Sequence, residues 1–135
     1  MKKPRKAVLD SYAVLAFLFQ EEGSKAVLDL FEWAVENRER HLITAVNWAE
    51  VCYIVQRKAG RARWPEVSES LARLPLEVVA THRELAERAA YFKVKGAISL
   101  ADCFAAALAQ ELGLPLYTGD PEFRVVQSEI EVRWI

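Results

Sequence analysis

The sequence predicts an α/β domain of three layers, with a parallel sheet held between helices. Three observations carry that expectation. Short apolar runs of strand length alternate with longer stretches of helical periodicity. Parallel strands joined through helices bury both faces of their sheet, so this alternation implies a covered, parallel sheet. No repeat, low-complexity tract or linker divides the 135 residues, a length suited to a single domain, 1–135, with one core.

Residues 7–10 read as a short strand closed by Asp10. Ser11 is placed to cap a helix over 12–20, whose dense apolar residues call for deep burial. Gly23-Ser24 restarts a helix running to about Arg40, with Val27, Leu28, Phe31 and Val35 on one stripe. A second strand, 41–44, leads into a helix over 45–58 that ends before Gly60. Arg61-Ala-Arg-Trp-Pro65 opens another helix with proline in its first turn. Residues 76–79 make a third strand. Thr81-His-Arg-Glu84 is a capping-box pattern for a helix ending near Gly96, and Ser99-Leu-Ala-Asp102 is a second, for a helix ending at Gly113. A strand over 115–118, a Gly-Asp-Pro turn and a last strand over 130–135 complete the order.

Four carboxylates interrupt or close this apolar pattern. Each also has a structural reading: Asp10 as a cap or turn residue, Glu50 as a solvated edge or an arginine's partner, Asp102 as the end of its capping box and Asp120 as a turn residue. Asp10 and Asp120 follow strands, and ligand sites of open α/β sheets lie beyond the carboxyl ends of the strands. Glu50 projects from an apolar stripe, with Val46, Tyr53 and Ile54 at i−4, i+3 and i+4. Asp102 heads an alanine-rich helix, and Ala105, Ala106 and Ala109 on its face leave room for an ion and a phosphate. No lysine or arginine adjoins any of the four in sequence. Buried acids need a partner, and a hard divalent cation would neutralise a gathered set. Without it, like charges are expected to raise at least one carboxyl pKa.

Composition narrows the function. Hydrophobic residues make up 53% of the chain and charged residues 27%, which excludes disorder. The longest apolar run, 13–19, is far below the roughly 18 residues of a membrane span. The basic start, residues 1–6, is followed by no secretory core, so a cytoplasmic protein is expected. Cys52 and Cys103 lack metal-binding spacing and are read as reduced core residues. A net charge of −1 argues against a generally basic nucleic-acid binder, though not against a local basic patch.

The segments Val8-Leu-Asp-Ser-Tyr-Ala-Val-Leu15, Ile43-Thr-Ala-Val-Asn-Trp-Ala-Glu-Val51, Ile98-Ser-Leu-Ala-Asp-Cys-Phe-Ala-Ala-Ala-Leu-Ala109 and Leu116-Tyr-Thr-Gly-Asp-Pro-Glu-Phe123 resemble, in order, the four acidic blocks of PIN-domain ribonucleases. The resemblance is greatest to the VapC toxins of bacterial and archaeal toxin–antitoxin pairs. It implies a PIN-like sheet of about five parallel strands, a homodimer, cleavage of RNA with Mg²⁺ or Mn²⁺, and a VapB-like antitoxin. By position it assigns Asp10, Glu50, Asp102 and Asp120 to the acidic site, with Ser11 and Thr118 as accessory hydroxyls. Asn47 receives no role. Asp10 and Asp102 are expected to ligate the metal directly, with Glu50 and Asp120 acting partly through water. Hydrolysis of this kind leaves a 5′-phosphate and a 3′-hydroxyl.

An RNA substrate, such as tRNA or another structured RNA, needs a positive handle. Arg57, Lys58, Arg61 and Arg63 surround Gly60, beside Trp64. They read either as phosphate contacts with a stacking ring or as a solvated loop with Trp64 in the core. Two apolar helices, carrying Leu15, Phe17, Leu18, Phe19, Leu30, Phe31 and Trp33, offer a groove for an amphipathic antitoxin helix. The competing functions are a housekeeping RNA-processing nuclease of the same family, a phosphatase-like Mg²⁺ site and a non-catalytic binding module. Tyr12 argues against the phosphatase-like site, which wants an aspartate there.

Overall fold

The computed structural model describes residues 3–135; Met1 and Lys2 of the basic start lie outside them. Five strands, β1 (Val8–Leu9), β2 (His41–Thr44), β3 (Leu76–Val79), β4 (Leu116–Thr118) and β5 (Val132–Trp134), form one sheet in the order β3-β2-β1-β4-β5. Every pairing is parallel, with Val8 opposite both Leu42 and Leu116. The chain builds outward from β1 to β3, then returns to lay β4 on the other side of β1. The carboxyl ends of β1 and β4 thus flank the point where the winding reverses, which is where such sheets open a crevice.

Successive strand residues point to opposite faces, and that alternation divides the apolar residues into two cores. Val8, Leu42 and Leu116 face α5 (Arg83–Val94) and α6 (Leu100–Leu112), where Leu85, Phe92, Cys103 and Leu108 pack. Leu9, Ile43 and Tyr117 face α1 (Ser11–Leu18), α2 (Ser24–Asn37), α3 (Ala45–Ala59) and α4 (Trp64–Ala72), where Val14, Leu30, Phe31 and Val51 pack. The expected single core is therefore two, because a covered sheet has two faces to bury. Trp64 leans on the second core beside Trp48, 6.3 Å between ring centroids.

The elements form where expected, with three local corrections. Asp10, not Ser11, caps α1: its Oδ1 accepts the Ala13 N–H at 2.9 Å. Helix α2 stops at Asn37 because Arg38 turns left-handed (φ 56°, ψ 42°). His82, not Thr81, caps α5, accepting the Leu85 N–H at Nδ1. Ser99 caps α6 as its motif predicts, accepting the Asp102 N–H at 3.1 Å.

His41 locks the start of the sheet to α2. It is wholly buried; its Nδ1 accepts the Ala7 N–H at 3.2 Å, so Nε2 is left to donate to the Leu30 carbonyl at 2.8 Å. Burial, its largest influence, pushes the imidazole pKa below its usual 6.5.

Candidate active site

At the reversal point of the sheet Asp102, Asp120 and Glu122 form a carboxylate cluster, and Asp10 and Glu50 stand beside it as charged neighbours outside that cluster. Asp10 leaves β1 only 1% exposed, held on both oxygens. Oδ1 accepts the Ala13 N–H, and Oδ2 accepts the Thr118 hydroxyl at 2.5 Å. Thr118 Oγ1 in turn accepts the Asp120 N–H at 3.0 Å. One side chain on β4 therefore fixes two acids that lie 110 positions apart in number. Asp120 then folds its own Oδ1 onto the Glu122 N–H at 2.9 Å, capping the short 3-10 turn Pro121–Val125.

Because Asp10 has taken the capping role, the Ser11 hydroxyl is free to reach across to α3, where it donates to Glu50 Oε1 at 2.9 Å. The same oxygen accepts Asn47 Nδ2 at 3.3 Å, and that amide also donates to the Ala101 carbonyl at 3.2 Å. Asn47 Oδ1 accepts the Thr44 hydroxyl. Asn47 thus ties α3 to the first turn of α6 while orienting Glu50. Sequence reasoning left this residue without a role; its position three before Glu50, on the same helical face, was the available signal.

Asp102, 5% exposed in that first turn of α6, brings its carboxylate within 4.8 Å of those of Asp120 and Glu122. Glu122 is a further acid that sequence reasoning passed over. The tight Asp120-Pro-Glu122 turn sets it beside Asp120, a proximity that the turn motif itself implies. The alanines below Asp102 do not leave the expected room: Ala105, Ala106 and Ala109 are buried in the first core, where small side chains let α6 lie close on the sheet.

Burial, not like charge, is the main electrostatic strain. Asp10 is pushed up from 3.8 to about 7, first by loss of water, against the Thr118 and Ala13 hydrogen bonds, with Asp120 and Glu50 adding repulsion. Asp102 rises to about 8, again through burial first and then through Asp120 and Asp10. Among the described residues, no lysine or arginine pairs with Asp10, Glu50, Asp102 or Asp120. An all-oxygen set of unneutralised carboxylates, Asp10 and Asp102 buried, Glu50 and Asp120 half-buried, fits a hard divalent cation such as Mg²⁺ or Mn²⁺ and offers nothing to a soft one.

The basic residues lie at the other end of α3. Arg57 stacks its guanidinium 4.8 Å over the Tyr53 ring, and the Lys58 ammonium lies 4.8 Å over Phe19. Arg63 reaches Glu66 at 3.8 Å, and Arg61 is exposed in the 3-10 turn Arg61–Arg63. Glu50, Tyr53 and Arg57 fall at i, i+3 and i+7, so one face of α3 runs from the acids to this cation over about 10 Å.

A rim of acids at the switch point of a parallel sheet defines a class of metal-dependent α/β domains rather than one reaction. The particular family follows from the sequence: the family profile described as PIN domain matches residues 7–129, and the chain belongs to that family. It is similar to the VapC ribonuclease Mb0640 of Mycobacterium bovis, with 27% identity over 124 residues, covering 87% of this chain and 92% of that protein. The fold matches a chain of the DNA-bound VapBC complex from Salmonella typhimurium with a TM-score of 0.74 at 19% identity, covering 96% of this chain and 97% of that one. It also matches VapC20 of Mycobacterium tuberculosis, a sarcin-ricin loop cleaving toxin, with a TM-score of 0.72 at 17% identity over 95% of this chain and 99% of that one. Among the described residues no helix is long and apolar enough to cross a membrane.

Proposed function

We propose that this protein is a cytoplasmic, metal-dependent endoribonuclease and the toxin of a toxin–antitoxin pair. The observation that carries the reading is the pair of buried carboxylates, Asp10 and Asp102, left without a protein cation beside two further acids. The likeness to ribonucleases of the VapC group supports RNA as substrate.

Asp10 and Asp102 would hold the ion directly, and Glu50 and Asp120 would act on it partly through water. A bound Mg²⁺ or Mn²⁺ supplies charge neutralisation and a nucleophile at neutral pH. Thr118 keeps Asp10 and the Asp120 backbone in fixed relation, and Ser11 with Asn47 holds Glu50 in one rotamer, so the carboxylates are oriented before substrate arrives. Arg57, Lys58, Arg61 and Arg63 take the RNA phosphates beyond Glu50.

The partner is a VapB-like antitoxin. A cleft of about 570 Å³ between α1 and α2, lined by Phe17, Leu18 and Leu28, would receive an amphipathic helix. A homodimer completes the assembly.

The test is cleavage of an end-labelled pool of tRNA and structured RNA with Mg²⁺, with Mn²⁺ and with EDTA, beside Asp102→Asn. Discrete metal-dependent cuts, ending in 5′-phosphates and missing with the variant, are expected. No cutting with either metal, or cuts ending in 2′,3′-cyclic phosphates, would overturn the reading.

A further inference from the structure

Tyr12 stands at this site on the first turn of α1. It follows Asp10 and Ser11, which hold Thr118 and Glu50, and its neighbours Ala13 and Val14 supply the buried face of α1. The Tyr12 side chain itself is 41% exposed. Its ring lies against Gly119, between Thr118 and Asp120, so closely that a Cβ at position 119 would overlap ring atoms. Gly119 is absent from the glycines with positive φ, so it is glycine for space and not for backbone conformation. The turn has been cleared to seat the ring. No protein group among the described residues hydrogen-bonds the Tyr12 hydroxyl.

We propose that the exposed face of Tyr12 is a stacking platform for a nucleobase beside the scissile phosphate, which makes the site selective for unpaired RNA. The inference rests on the nuclease reading above. A base inside a duplex has both faces covered, whereas a base in a loop or single strand can lie on an aromatic ring. Contact with Gly119 holds the ring in place before RNA binds, so little side-chain freedom is lost on stacking. Its attachment between the Asp10 and Asp120 segments ties the stacked base to the position of the phosphate. Tyr12 is thus a positioning residue; the carboxylates perform the chemistry.

The experiment compares wild type, Tyr12→Leu and Tyr12→Phe on a single-stranded RNA that the wild type cuts, and on the same RNA with an abasic ribose on either side of the cut. Binding of Mn²⁺ alone, followed by its electron paramagnetic resonance signal, is measured in parallel. Tyr12→Leu should raise KM by roughly ten- to a hundredfold, the order expected for one base–aromatic stack. Its kcat and its Mn²⁺ affinity should change little. Tyr12→Phe should rescue the KM, and one of the two abasic substrates should remove the difference between wild type and Tyr12→Leu. An unchanged KM in Tyr12→Leu, or a loss that persists on both abasic substrates, overturns the stacking role while the nuclease reading stands. A wild type that cuts no RNA with either metal overturns both.

Discussion

Replacing Asp10 by asparagine should abolish cleavage yet stabilise the metal-free protein at high pH. Asparagine keeps the shape of the side chain. Its Oδ1 can still accept the Ala13 N–H, and its Nδ2 can donate to Thr118 Oγ1, which is rotated to release its own proton elsewhere. What disappears is a buried negative charge. The Asp10 carboxyl is raised from 3.8 to about 7 in the folded protein, so the fold binds its proton more tightly than the unfolded chain does. The favourable contribution of this residue is therefore complete below pH 3.8 and is lost as the pH climbs through about 7. At ~1.4 kcal/mol for each tenfold change in proton affinity, the loss reaches at most about 4 kcal/mol by pH 9. Asp10→Asn does not suffer it. Urea midpoints in EDTA at pH 5, 7 and 9 should show the variant gaining on the wild type as pH rises. Saturating Mg²⁺ should shrink or reverse the gap, since an ion that binds the wild type better stabilises it by mass action. A gap that does not grow between pH 5 and pH 9, or a variant less stable than wild type at pH 9 in EDTA, would refute the assignment of buried charge as the strain at this site.

The remaining predictions concern the groups around the acids and the core beneath them. Asn47→Ala strips the amide that links Glu50 to the Ala101 carbonyl; it should cost about 1–3 kcal/mol in chemical denaturation and lower kcat by freeing Glu50. Gly119→Ala drives a methyl into the Tyr12 ring and should cost about 1–3 kcal/mol, but markedly less in a Tyr12→Ala background, as a double-mutant cycle would measure. His41 should make the fold acid-sensitive: its pKa is lowered from 6.5, so its contribution is present above that value and drains away as the pH falls below it. Denaturation of wild type beside His41→Gln, from pH 7 to pH 5, should show the wild type losing the more.

The fold could be read from the sequence because its elements are locally marked. Short apolar runs mark β2 and β3, a helical period marks α6, and Ser99 announces that helix. Two caps fall one residue away from where the motifs put them. Asp and Ser at positions 10 and 11 are both good caps, so the motif alone does not choose between them, whereas His82 caps through a ring nitrogen that the usual cap preferences do not flag. With Asp10 as the cap, the Ser11 hydroxyl goes instead to Glu50, 39 positions away. The acids themselves were visible as charges interrupting apolar pattern. Asn47 was not, since an amide on a helix carries no anomaly until the Ala101 carbonyl arrives opposite it. The alanines of α6 misled in the other direction: small side chains signal either an opening or close packing, and only the sheet beneath them decides.

The bond between Asp10 and Thr118 joins residues 108 positions apart, and β4 must pair with β1 before it can form. A ribosome adding about 5–20 residues per second needs roughly 5–20 s to travel that distance. Through that interval the growing chain carries Asp10 and Glu50 but no assembled acidic rim. An acidic site built in this way is completed only near the end of translation, by the arrival of a strand. A chain cut short before β4 lacks both Thr118 and Asp120 and has no complete acidic rim.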